Sequence, residues 1–223
     1  MLVLDKSESM NDIMDRRQRS KWDLSKEAFQ DILDTLTFAD FVNVVTFSDG
    51  ATALWNASAL TRGRKENLST LKDAIESEIV AGATNFTAAF TTAFELLTNA
   101  CMSEIKSCSG CQKIILFLTD GKDTSREDGE SIRPTEIAAT IDDLQERLEA
   151  QTSERASIFT FSMSDLADDS IPRQIACRNN GAWSYIGPLT DTLDALNSYY
   201  RYVAAGRRTD HPIWVEPCED SSG

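Results

Sequence analysis

At 223 residues, 26% of them charged and with a formal net charge of −14, the chain is long enough for one domain of about 200 residues with a sizeable core. The acidity excludes a nucleic-acid backbone or an anionic lipid surface as principal partner, because both reward basic patches. No apolar run approaches the roughly 20 residues needed to span a bilayer, and the start lacks the basic and apolar regions of a secretory signal.

In chain order, the apolar run Leu2, Val3, Leu4 reads as a buried strand, shortened because Met1 already falls inside it. A polar stretch at 11–19 reads as surface loop. Residues 22–36 carry Phe29, Ile32, Leu33 and Leu36 at helical spacing. The β-branched and aromatic run at 41–47 predicts a second buried strand, and Ser48-Asp49-Gly50 a hairpin turn into a short antiparallel edge strand at 51–55. Leu68, Leu71, Ile75 and Ile79 predict an amphipathic helix over 61–79, and a small apolar helix follows over 87–100.

Residues 113–119 form another apolar strand, followed by a charged, turn-rich loop at 121–133. Pro134 opens a helix through Ile137, Ile141, Leu144 and Leu148. A strand at 157–163, a short helix at 171–178, a strand at 181–186 and a closing helix at 193–203 complete the chain. This alternation predicts an α/β fold: a doubly wound, mostly parallel six-stranded sheet with one antiparallel edge strand and helices on both faces. The expected organisation is one domain over 1–206 and a polar tail at 207–223 leading into a longer protein.

The chemistry gathers at strand ends. Asp5, Ser7 and Ser9 alternate just past the first strand, and residues two apart project to the same side of an extended segment. The strand at 113–119 ends in Asp120, with Gly121 permitting a tight exit. Ligands in open α/β sheets sit outside the carboxyl ends of strands where the winding reverses. The loop Gly82-Ala83-Thr84-Asn85 brings a third hydroxyl, and the helix behind it brings its positive dipole end. Few charges and several hydroxyl oxygens suit magnesium, manganese or calcium rather than zinc or copper.

Asp5-Lys6-Ser7-Glu8-Ser9, Thr84 and Leu118-Thr119-Asp120-Gly121 resemble, in order and spacing, the three parts of the metal-ion-dependent adhesion site of von Willebrand factor type A domains. The stretches at 41–47, 159–162, 175–181 and 211–215 resemble more narrowly the corresponding region of calcium-channel alpha-2/delta subunits. The resemblance implies direct binding of a divalent ion, magnesium foremost, by Ser7 and Ser9. Asp5 and Asp120 would act through water or as orienting groups, and Thr84 as a direct or switched ligand. It further implies an extracellular protein-binding module whose partner, a channel's extracellular loop for example, supplies a carboxylate to the ion, with no membrane insertion by this segment. The family usually has glycine where Glu8 stands, so a degenerate scaffold is one alternative; an intracellular assembly component of an ATPase or chelatase complex is the other.

An enzyme is not expected. A dehalogenase-type phosphatase wants a second aspartate where Ser7 stands, and there is no GxGxxG, Walker loop or GxSxG. Lys122 and Asp123 read as solvated loop residues. Of five cysteines, Cys101, Cys108 and Cys111 suggest a local disulfide in an oxidising compartment, leaving Cys177 and Cys218 for longer-range bonds. Sequons stand at Asn56, Asn67 and Asn85, and a glycan at Asn85 would block the face beside Thr84. Trp183, Tyr185, Tyr199, Tyr200 and Tyr202 read as core and helix-flank aromatics.

Overall fold

The computed structural model describes residues 1–102, 112–121, 123–124, 132–163, 169–187 and 199–202. The elements run β1 (Leu2–Asp5), α1 (Lys21–Thr35), β2 (Phe41–Val42), β3 (Val44–Phe47), β4 (Ala51–Ala53), β5 (Thr61–Arg62), α2 (Lys65–Glu76), α3 (Phe86–Met102), β6 (Lys113–Thr119), α4 (Pro134–Thr152), β7 (Ala156–Ser162), α5 (Ser170–Arg178) and β8 (Trp183–Tyr185). A single turn of 3₁₀ helix, Glu8–Asn11, follows β1.

Strands β1, β3 and β7 are buried along their whole length and β6 nearly so, as strands covered on both faces must be. With β4 and β8 they form a six-stranded sheet in the order β4-β3-β1-β6-β7-β8, parallel throughout except where β4 pairs with β3. Alternation along β1 divides the core. Leu2 and Leu4 face α1 and α2, whereas Val3 faces α3, α4 and α5. The chain leaves β1 for β3 on one side and later returns to β6 on the other, so the winding reverses beside β1 and the crevice opens at the carboxyl ends of β1 and β6.

Local chemistry sets the helix limits. A reciprocal capping box starts α1, Ser20 Oγ accepting from the Asp23 amide while the Asp23 carboxylate accepts from the Ser20 amide. Pro134 sits in the first turn of α4, and Ser153 in the left-handed region ends it.

Two predicted elements are corrected. The strand at 41–47 breaks at Asn43, whose buried amide donates to Asn56 O and Ala59 O, both at 2.9 Å, while its oxygen accepts from Val44 N and Trp55 N. Phe41–Val42 instead pairs antiparallel with Thr61–Arg62 as a separate ribbon. The helix predicted over 61–79 therefore begins only at Lys65 and ends at Glu76, leaving Ile79 exposed. Gly63 makes this ribbon possible, since a Cβ there would lie 2.4 Å from Thr37 O.

Cys101 and Cys177 are both disulfide-bonded. Cys108, Cys111, Cys218, His211 and the tail lie outside the described residues, as does the predicted closing helix except at 199–202, which is helical. Among the described residues no helix is long and apolar enough to cross a membrane.

Candidate functional site

The site grows from the end of β1. Asp5 is fully buried, and its Oδ1 accepts from the Ser7 amide at 2.8 Å while its Oδ2 accepts from Thr119 Oγ1 at 2.7 Å. The Thr119 bond ties the ends of the adjacent strands β1 and β6 together, and the Ser7 bond turns the chain as it leaves β1. Ser7 Oγ and Ser9 Oγ stand 3.2 Å apart, and Ser9 Oγ donates to Asp120 Oδ1 at 2.8 Å. Asp120 is thus only two hydrogen bonds from Ser7 although the two lie far apart in sequence.

Thr84 enters from the opposite wall. Its amide donates to Thr124 Oγ1 at 2.9 Å and its carbonyl accepts from the Thr124 amide at 2.8 Å, a two-bond clasp joining the loop before α3 to the loop after β6. Beside it, Gly82 has φ +91°, and a Cβ there would meet Asp49 Oδ2 at 2.3 Å. Gly82 O accepts from the Glu8 amide at 3.0 Å, which draws this loop against the Ser7–Ser9 segment. Asn85 Oδ1 accepts from Ala88 N and caps α3.

Together Ser7, Glu8, Ser9, Lys21, Gly82, Ala83, Thr84, Asp120, Gly121 and Thr124 line an open cleft of about 650 Å³. Four of the five predicted site residues line it directly, and Asp5 lies beneath. Glu8 is exposed, and its side chain does not come between Ser7 and Ser9, whose hydroxyls touch.

The electrostatics are unusual for so acidic a chain. Burial pushes the Asp5 carboxyl up to about 7, with Asp120 pushing the same way, against the hydrogen bonds from Ser7 and Thr119 that favour its ionised form. No lysine or arginine pairs with Asp5 among the described residues. Asp120 differs, because Lys21 Nζ donates to its Oδ2 at 2.6 Å and to Asp12 Oδ2 at 3.0 Å. Burial works against that ammonium, but the bonds to Asp120 and Asp12 outweigh it and raise its pKa.

A cation fits this donor set. Ser7, Ser9, Thr84 and Asp120 offer hard oxygens to one cleft, and Asp5 is a buried carboxylate with no positive partner among the described residues. No cluster of three or more His, Cys, Asp or Glu exists among the described residues, so a metal here would depend on hydroxyls.

Sequence reasoning missed Lys21, Thr119 and Thr124, and it misjudged Asp123. Lys21 immediately follows the cap Ser20, a helix-start signal that gives no hint of the contact with Asp120. Asp123 is fully buried rather than solvated, and its Oδ2 accepts from the Phe86 amide at 2.7 Å, answering the free N–H groups and dipole of α3. Lys122 lies outside the described residues.

Comparison with known proteins agrees with this architecture. Human voltage-dependent calcium channel subunit alpha-2/delta-2 is 27% identical over 206 residues, covering 90% of this chain and 16% of that subunit, so the chain spans about a sixth of that relative's length. A von Willebrand factor type A protein from Catenulispora acidiphila superposes with a TM-score of 0.68 at 21% identity, covering 92% of this chain and 41% of that one. The manganese-loaded TRAP protein of Plasmodium vivax superposes at 0.51 and 17% identity, covering 84% and 67%. Residues 1–122 match the family's own sequence profile, and with the strand order and relatives above this shows that the chain belongs to the von Willebrand factor type A domain family.

Proposed function

We propose that this chain is a divalent-cation-dependent protein-binding module, non-catalytic, with a metal-ion-dependent adhesion site formed by Asp5, Ser7, Ser9, Thr84 and Asp120. The observation that carries the reading is the hydrogen-bonded run Ser7–Ser9–Asp120 above a fully buried Asp5 at the reversal of the sheet. Ser7 and Ser9 would hold magnesium, or manganese or calcium, through their hydroxyls, with Thr84 as a further donor and the two aspartates acting through water or by orienting the serines. When bound, the ion supplies a hard, incompletely neutralised charge that a partner's carboxylate can complete. The manganese in the Plasmodium vivax protein supports a cation in this fold.

Disulfides at Cys101 and Cys177 support an oxidising, extracellular setting, and likeness to the calcium-channel subunit supports a membrane protein's extracellular loop as partner. The domain is read as 1–206.

Calorimetric titration of the chelator-treated chain with Mg²⁺ tests the reading. A saturable one-site heat is expected in the parent, and none in a Ser7→Ala, Ser9→Ala double variant that keeps its fold by circular dichroism. A parent that gives neither heat nor a thermal shift with Mg²⁺ or Mn²⁺ overturns it.

Lys21 acts on the same site. Its ammonium competes for Asp120 and repels an arriving cation, so Lys21→Met is expected to tighten Mg²⁺ binding by about tenfold or more. Weaker binding in that variant would show that the lysine serves instead to orient Asp120.

A further inference from the structure

We infer that Asn56 is the N-glycan acceptor of this domain and that Asn67 and Asn85, though they stand in equally valid sequons, are not. The inference rests on the extracellular reading above for its compartment, and on the three side chains themselves for its choice of site.

The three amides differ in what their nitrogens already do. Asn67 Nδ2 spends both hydrogens, donating to Thr61 Oγ1 at 2.8 Å and to Arg62 O at 3.0 Å, and so pins the start of α2 to β5. A glycosylated amide keeps one hydrogen, and one of those bonds would be lost. Asn85 Oδ1 caps α3 through Ala88 N at 2.9 Å, and its Nδ2 donates to Asp49 O at 3.1 Å. The one hydrogen left on a glycosylated Nδ2 could keep the Asp49 bond, but a sugar there would stand beside Thr84 at the mouth of the cleft.

Asn56 is exposed, and its Oδ1 is held locally by the Ser58 amide at 2.8 Å and the Ser58 hydroxyl at 3.1 Å. Its Nδ2 has no partner among the described residues. The loop is meanwhile anchored from inside, since buried Asn43 grips Asn56 O and Ala59 O. The acceptor nitrogen is therefore free on a loop whose backbone the core holds.

Position strengthens the choice. β4 runs antiparallel to β3, away from the cleft, so the 54–60 loop lies at the end of the sheet opposite Ser7 and Thr84. A glycan there leaves the cleft open and overhangs the edge strand β4, whose unpaired side would otherwise invite other chains.

The donor is a lipid-pyrophosphate-linked oligosaccharide. Asn56 Nδ2 forms a bond to C1 of the first sugar, the bond from C1 to the pyrophosphate oxygen breaks, the lipid pyrophosphate leaves with the electron pair, and Nδ2 gives one proton to a base of the transferase.

The test expresses residues 1–223 behind a supplied secretory signal in cultured animal cells. The secreted protein is deglycosylated by peptide-N-glycosidase in ¹⁸O water, which converts each occupied asparagine to labelled aspartate, and its peptides are weighed. Label is expected at Asn56 alone, and Ser58→Ala, which removes the sequon but keeps Asn56, is expected to migrate like the deglycosylated parent. Label at Asn67 or Asn85, or an unlabelled Asn56, overturns the assignment. Because the signal is supplied, that failure leaves the compartment untouched. Conversely, an occupied Asn56 in the secreted chain supports the assignment even if the natural full-length protein carries no glycan, a result that would count against the extracellular reading alone.

Discussion

Asp5→Asn is expected to abolish Mg²⁺ binding while stabilising the metal-free chain by about 1–3 kcal/mol at pH 8. The opposite signs share one cause. With its carboxyl pushed up to about 7 by burial, native Asp5 binds a proton more readily than it does in the unfolded chain. The stability this contributes is complete below the ordinary carboxyl range and is lost as pH rises through about 7. Above that, the fold carries a fully buried anion, and an amide of the same shape removes it. Asparagine's oxygen can still accept from Ser7 N, and its nitrogen can donate to the Thr119 hydroxyl. A divalent ion reverses the preference, because it favours the ionised carboxylate. Metal affinity in the parent should therefore climb as pH rises toward about 7, each ion displacing up to one proton below it. Urea denaturation in chelator at pH 5.5 and pH 8, beside calorimetry in buffers of different ionisation enthalpy, measures both sides. Undiminished Mg²⁺ heat in Asp5→Asn would refute the account.

Phe117→Ala is expected to destabilise the chain by about 3–5 kcal/mol, and Phe117→Leu by about 1–2 kcal/mol, in urea melts. Phe117 is fully buried on β6, stacked at 5.3 Å from Phe47 and 4.7 Å from Phe90, with Phe86 edge-on at 5.1 Å. Truncation leaves a cavity among three rings and forfeits their mutual contacts. The rings also underlie the site: Phe47 ends β3, Phe86 begins α3 two residues after Thr84, and Phe117 precedes Asp120 by three. A loss below about 1 kcal/mol for the alanine variant would mean that the rings close the gap by shifting.

Much of this fold is legible because burial on both faces demands nearly continuous apolar runs, and such runs mark β1, β3, β6 and β7 without ambiguity. Asp5 and Asp120 are legible for the same reason, each being the first charge to follow a buried apolar run. What escapes notice is set by pairing across distance. Asn43 sits in an unbroken β-forming run, and only contacts with Asn56, Ala59 and Trp55 turn it into a break. Thr61 and Arg62 look like the start of a helix until Phe41 and Val42 are found beside them. Ile79 keeps the helical period of Leu68, Leu71 and Ile75 but lies beyond the helix end at Glu76, so periodicity misplaced it. Lys21 reaches Asp120 only because the 12–20 segment folds back, with Ile13 bridging Ser20, and no local signal announces that.

The paired bonds between Thr84 and Thr124, reinforced by Asp123 on the Phe86 amide, fuse two loops from different crossovers into one rigid jaw. Widening of the groove would have to break the single ties across it, the Glu8 amide on Gly82 O and the Ser9 hydroxyl on Asp120, before the paired clasp.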